Sequence, residues 1–246
     1  MIDFALQVGD LAAADEIARM RPVADRETDM RLAQAAMNAL QWAIAESSLK
    51  RMATRLSSAD VWAMLAHVMD RQGKSDGATS CLREAFLCDP TGDRRDAWLA
   101  RLPRGARRDA VVQCAHLLLN HRQIAAACDL LLHEGCVHDA WRALEAGLQG
   151  AEMWSPGPGL EGVMARLAAE DADRLVQLVA RVALEAISLR GRDAYRRACR
   201  WLAALQNGLT AAGRGAAWDE VRAVVALESR RLPALRDELS AAGLLP

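Results

Sequence analysis

The sequence predicts an all-α protein built as a solenoid of antiparallel helical hairpins. Three observations predict it. Ala and Leu dominate while β-branched residues are confined to scattered Val, a composition that favours helices over sheets. Apolar residues recur at helical spacing through most of the chain. Four short turns of one design, centred on Gly9, Gly73, Gly135 and Gly213, separate paired helical stretches. No hairpin of this size can bury its own apolar faces, so the units must stack.

Bulk composition bounds the rest. The 246 residues are 52% hydrophobic and 26% charged, with a formal net charge of −1, the balance of a soluble globular protein. No global field argues for nucleic acid or a membrane surface. The cations are almost all Arg; Lys occurs only at Lys50 and Lys74. No apolar run reaches the roughly 18 residues of a transmembrane helix. The opening "MIDFALQVGD" lacks a basic segment followed by an apolar core, so a secretory signal is not expected. Six unevenly spaced Cys then read as reduced thiols of a cytoplasmic protein. The Arg-rich stretch "TGDRRDAWLARLPRGARRDA", broken by Pro103 and Gly105, marks the boundary between lobes at 1–103 and 104–246.

Taken in order, "FALQVGDLAAADEIARMRP" reads as a truncated hairpin, with Gly9 at its turn and Ala14 opposite. "ETDMRLAQAAMNALQWAIAESSLKRMATRL" reads as two helices bent near Asn38. The next stretch, Val61 to Pro90, is the most regular. Val61, Trp62, Leu65, Val68 and Met69 form one apolar stripe, and Ala78, Cys81, Leu82, Ala85 and Phe86 form a second. Gly73 can end the first helix in a left-handed conformation, Asp76 can help start the next, and Pro90 stops it. Trp62, Leu65, Ala66, Ala78, Ala85 and Pro90, with Met69 and Leu82 in place of aromatics, resemble a tetratricopeptide (TPR) repeat of about 34 residues. A second unit of that pattern places Ile124, Ala127, Cys128, Leu131, Ala140 and Leu144 around Gly135. Cys128 then fills a small-residue slot. A fourth turn lies near Gly213, with Trp218 in a slot that usually holds Ala. "MWSPGPGLEG" is a loop, and helices are expected at about 160–169, 172–189, 192–211, 215–226 and 229–241.

Residues 117–244 also resemble the C-terminal helical region of bacterial proteins that carry an N-terminal SWIM zinc finger. The likeness rests on "LLLHEGCVHDAW", on Tyr195, Ala198, Trp201 and Leu202 of "AYRRACRWLAAL", and on "GRGAAWDEV" and "RRLPALRDELSAAGL". The SWIM motif itself, C-x-C followed by C-x-H, does not occur, so the nucleic-acid role of that finger does not carry over.

Several chemical patterns resolve into structural ones. Cys114, His116, His121, Cys128, His133, Cys136 and His138 crowd into one segment, but Cys114 and His116 sit on different helix faces and Cys128 is claimed by packing. No metal site is expected. "HEGCVH" spaces its His five apart across a glycine, which rules out a zincin site. Gly157, Gly159 and Gly162 match G-x-G-x-x-G without the preceding strand that a dinucleotide site requires. The Arg clusters at Arg94 to Arg108 and Arg190 to Arg200 are diluted by Asp93, Asp96, Asp109 and Asp193. Trp62, Trp98, Trp141, Trp201 and Trp218 fall in apolar stripes, whereas Trp154 sits beside the loop. Tyr195 and the scattered carboxylates form no convergent acid–base set, and no cofactor is expected.

The functional expectation is a non-enzymatic scaffold or adaptor that binds a partner protein. In the repeat family the first helix of each pair lines the concave face. That resemblance assigns Asp60, His67, Asp70 and Arg71 from one repeat and Arg122, Asp129 and His133 from the other to partner binding. The alternative is a nucleic-acid-associated regulatory module that uses the Arg-rich surfaces or a separate DNA-binding subunit. The terminal "RRLPALRDELSAAGLLP" reads as a cap or a homo-oligomer contact, since solenoid ends expose apolar faces.

Overall fold

Every regular element among the described residues is a helix. The structure is a computed structural model that describes residues 2–20, 25–56, 58–153 and 155–245. Trp154, beside the expected loop, and the end of the first expected hairpin at 21–22 lie outside those residues. No helix among the described residues is long and apolar enough to cross a membrane.

The chain divides into two compact units, residues 1–107 and 108–246. The first unit holds α1 (Ile2–Gln7), α2 (Leu11–Met20), α3 (Arg26–Asn38), α4 (Trp42–Ala53), α5 (Ala59–Arg71), α6 (Ser75–Cys88) and α7 (Gly92–Leu99). Helix α8 (Arg104–Asn120) starts just before the division. The second unit continues with α9 (Ile124–His133), α10 (Val137–Gly147), a 3-10 turn at Ala151–Met153, α11 (Leu160–Ser188), α12 (Arg192–Ala211), α13 (Gly215–Ser229) and α14 (Pro233–Ala241).

The hairpin turns share a hydrogen-bonding scheme. At Gly73 (φ 75°) the amide of Lys74 donates to the Met69 carbonyl at 2.9 Å, and the Gly73 amide donates to Asp70 at 2.9 Å. At Gly135 (φ 72°) the Cys136 amide reaches the Leu131 carbonyl at 2.8 Å. This left-handed cap satisfies the last carbonyls of a helix and reverses the chain. The Gly9 and Gly213 turns use the same bonds. So do two turns without glycine: Leu40 (φ 59°) joins α3 to α4, and Arg122 (φ 58°) joins α8 to α9. Asp76 does not cap α6. The N-cap position belongs to Lys74, and no side chain bonds there.

Within the first unit, α1 and α2, α3 and α4, and α5 and α6 pack as antiparallel pairs; α4 also meets α5, and α2 lies on both α3 and α4. Small residues permit the approach: Ala14, Ala33, Ala36, Ala45 and Ala78 have no exposed surface. Leu32, Leu49 and Leu65 fill the space between them. Each such side chain contributes about 1.5–3 kcal/mol by leaving water. Trp98 of α7 stacks on Phe86 of α6, with ring centroids 6.1 Å apart.

A polar strut crosses this unit. Arg51 of α4 reaches Asp15 of α2 at 2.8 Å and Asp29 of α3 at 2.8 Å, with Ser47 and Ser48 completing its donors. Asp15 is also held by Arg19 at 2.6 Å. Both carboxylates are buried. Burial pushes the Arg51 pKa down, but the hydrogen bonds and charges of Asp15 and Asp29 outweigh it, so the pKa rises above its ordinary value. Loss of this arginine would leave Asp29 buried without an ion pair and Asp15 with Arg19 alone, a loss worth about 3–5 kcal/mol.

In the second unit α11 and α12 form the longest pair, and each also meets α13; α9 and α10 pair and rest on α11. Asp171 leaves helical geometry (φ −152°, ψ 89°) and its carboxylate accepts from the Arg174 amide at 3.0 Å. It therefore caps the second half of α11, which is why the sequence reads as two helices there. Pro233 starts α14 at its first turn, so α13 runs to Ser229 rather than stopping at 226. The Trp201 indole N–H donates to the Ala151 carbonyl at 3.2 Å, tying α12 to the 3-10 turn.

Candidate functional site

Helix α5 presents the first set of expected binding residues, and its neighbours already hold two of them. Asp60 accepts from Arg94 of α7 at 2.7 Å. Asp70 takes both guanidinium nitrogens of Arg101, at 2.9 and 2.6 Å. Those hydrogen bonds raise the Arg101 pKa. His67 and Arg71 face outward and flank half-buried Trp42: the His67 ring meets it edge-on at 6.3 Å, and the Arg71 guanidinium lies 5.3 Å above it. Gln72 fixes this corner by donating to the Trp42 carbonyl at 3.0 Å.

The second expected set is dispersed. Arg122 occupies the left-handed turn before α9 and is exposed. Asp129 pairs with Arg166 of α11 at 2.9 Å. His133 lies at the end of α9 with Nδ1 3.0 Å from Glu134. None of the three lines the groove between α8 and α10.

A groove of about 310 Å³ lies instead between α8 and α10. Its floor is apolar: Val112, Ala115 and Leu119 of α8, Leu131 of α9, and Ala143 and Ala146 of α10. Its rim is polar, with His116, Asp139, Arg142, Glu145 and Gln149. Asp139 lies 3.7 Å from exposed Arg108, and Glu145 pairs with Arg174, whose guanidinium sits 4.6 Å above the Trp141 ring. Among the described residues Arg142 and His116 make no ion pair. The groove thus offers an apolar floor, one unspent cation and two carboxylates already partly neutralised. That combination suits an apolar side chain with polar or acidic neighbours.

Sequence reasoning missed this groove because the α8 segment matched no repeat and its Arg-rich start was read as a boundary. The spacing of Val112, Ala115, His116 and Leu119 is the one signal that was available, a single stripe along α8.

Cys81, Cys114, Cys128, Cys136 and Cys199 are buried. Cys128 is fully buried with its Sγ 3.6 Å from the Ala140 carbonyl, and burial pushes its pKa up to about 12. Burial likewise raises Cys81 and Cys199 to about 11. Among the described residues no three His, Cys, Asp or Glu side chains converge as metal ligands. Gly159 (φ 82°) is the N-cap of α11, so the G-x-G-x-x-G run serves as a helix entry.

No protein-family model matches the chain, and no curated protein matches it. Among solved structures it is similar to a crystal structure of BtubC (BKLC) from P. vanneervenii. The two share 16% identity over 98% of this chain and 92% of that one, with a TM-score of 0.27. A likeness that low carries no argument about fold or function.

Proposed function

We propose that this chain is a non-enzymatic scaffold: a TPR-like solenoid of antiparallel hairpins that receives a segment of a partner protein in the α8–α10 groove. The observation that carries the reading is the groove's build, an apolar floor ringed by Arg142, His116, Gln149, Asp139 and Glu145. At about 310 Å³ it lies at the lower end of small-molecule pockets, enough for one or two anchoring side chains of a peptide or helix. The repeated left-handed turns, and helices that meet both their neighbour and the next but one, support the solenoid reading. A cytoplasmic site of action is part of the same proposal.

Nothing favours the nucleic-acid alternative to a similar degree. Arg94, Arg95, Arg101 and Arg196 face carboxylates of the same chain, which leaves Arg104, Arg190 and Arg192 of the two Arg clusters without an ion pair among the described residues, and the net charge is −1. A phosphate-binding surface requires several unspent cations on one face.

The test is a tagged pull-down from expressing cells, with and without nuclease, using wild type, Ala146→Trp and Arg142→Glu. Both substituted residues are exposed, so melting temperatures should stay within a degree or two of wild type. A partner protein kept after nuclease by wild type and lost by Ala146→Trp supports the groove. Equal recovery by all three chains contradicts it.

A further inference from the structure

A second apolar surface lies on another face of the second unit. Val176, Ala180 and Leu184 of α11 and Val221, Val224 and Val225 of α13 line a shallow groove of about 220 Å³. Leu184, Val224 and Leu227 are 36%, 51% and 60% exposed. Neighbouring large apolar side chains left in water mark an interaction surface more often than chance exposure does.

Helix α13 carries two apolar stripes. Trp218, Val221 and Val225 are buried against the chain's own helices. The outer stripe reads Glu220, Val224, Leu227 and Arg231, spaced four, three and four residues apart, which is the seam spacing of paired helices. Arg231, two residues past α13, stays on the helical path, its amide reaching the Glu228 carbonyl at 3.4 Å. The stripe is therefore acidic at one end, apolar in the middle and basic at the other. Among the described residues neither Glu220 nor Arg231 makes an ion pair within the chain.

We infer that this face is a two-fold interface with a second copy of the same chain, the α13 helices packing antiparallel. In that register Val224 of each copy meets Leu227 of the other, and Glu220 meets Arg231 at both ends. Both ends are satisfied at once because an isologous contact repeats every pair. A parallel arrangement would set Glu220 against Glu220 and Arg231 against Arg231. The antiparallel one also opposes the helix dipoles. Leu184 and Ala180 of α11 widen the apolar contact beside the seam. This interface is separate from the α8–α10 groove and stands or falls independently of it.

Sedimentation equilibrium of the full chain tests the inference. The weight-average mass should rise from 26.7 kDa toward twice that value as concentration increases from roughly 1 to 200 µM. Val224→Lys should hold the chain at the monomer mass with an unchanged circular dichroism spectrum. Glu220→Arg should raise the dimer Kd about tenfold, since two ion pairs are lost, and Glu220→Arg with Arg231→Glu should bring it back. A monomer at every concentration overturns the proposal, as does a dimer indifferent to Val224→Lys. Failure of the double variant to recover overturns the antiparallel register.

Discussion

The chain's two lysines converge on one carboxylate. Lys50 approaches Glu46 Oε1 at 2.6 Å from the next turn of α4, and Lys74 approaches Oε2 at 2.6 Å from the turn after α5. Burial alone would raise the Glu46 pKa; hydrogen bonds from Lys50, Lys74 and Gln72 overcome it and lower the value from 4.5 to about 2. A folded pKa below the unfolded one means stabilisation that is fully present above about pH 4.5 and is lost as pH falls through about 2. Glu46→Gln should therefore cost roughly 2–3 kcal/mol in urea melts at pH 7 and progressively less toward pH 2. Two glycines test packing at the same scale. A Cβ on Gly208 of α12 would lie 2.7 Å from Met164 Cβ and 3.2 Å from the backbone of α11, so the two helices must part. A Cβ on Gly77 would meet only the flexible Met69 thioether at 2.6 Å. Gly208→Ala should destabilise by about 1–3 kcal/mol. Gly77→Ala should cost less, because higher helix propensity of up to about 1 kcal/mol offsets a Met69 that can swing aside. Thermal melts of the two variants decide it.

At the scale of elements, glycine made the turns readable. Gly9, Gly73, Gly135 and Gly213 announce left-handed caps, and each one ends a helix in the structure. The bend near Asn38 was legible only as a weakness in the pattern, because its left-handed residue is Leu40. The turn at Arg122 was not seen at all. A bulky residue at positive φ gives no sequence signal, since local propensity argues against it. Leu40 is 63% exposed and gains little from burial, so Leu40→Gly should raise stability by about 0.5–1 kcal/mol. A decrease in urea midpoint would show that Leu40 makes a contact outweighing its backbone strain. The expected binding residues were harder to place than the turns. Asp60 and Asp70 fall on the predicted helix face, yet Arg94 and Arg101 from the segment that follows bind both. Helical periodicity tells which residues share a face; it is silent on which distant side chain arrives there. The Arg51 strut was hidden for the same reason, its partners Asp15 and Asp29 lying 36 and 22 residues away.

Across the whole molecule, many charges are answered within the chain. Arginines of both units answer carboxylates of their own unit, as Arg51, Arg94 and Arg101 do in the first and Arg166, Arg174 and Arg196 in the second. Two outward features of the second unit stand apart: a groove lined by the unpaired Arg142 and an apolar stripe with opposite charges at its ends. Both features suit the company of other polypeptides. Whether the α8–α10 groove holds a partner protein is decided by photo-crosslinking. A benzophenone amino acid replaces Ala146 at the groove, or exposed Glu170 as a control, in cells that express the chain. A discrete protein adduct is expected from position 146, missing from position 170 and unaffected by nuclease. No adduct at 146 above the control, or one that nuclease removes, would contradict the proposal.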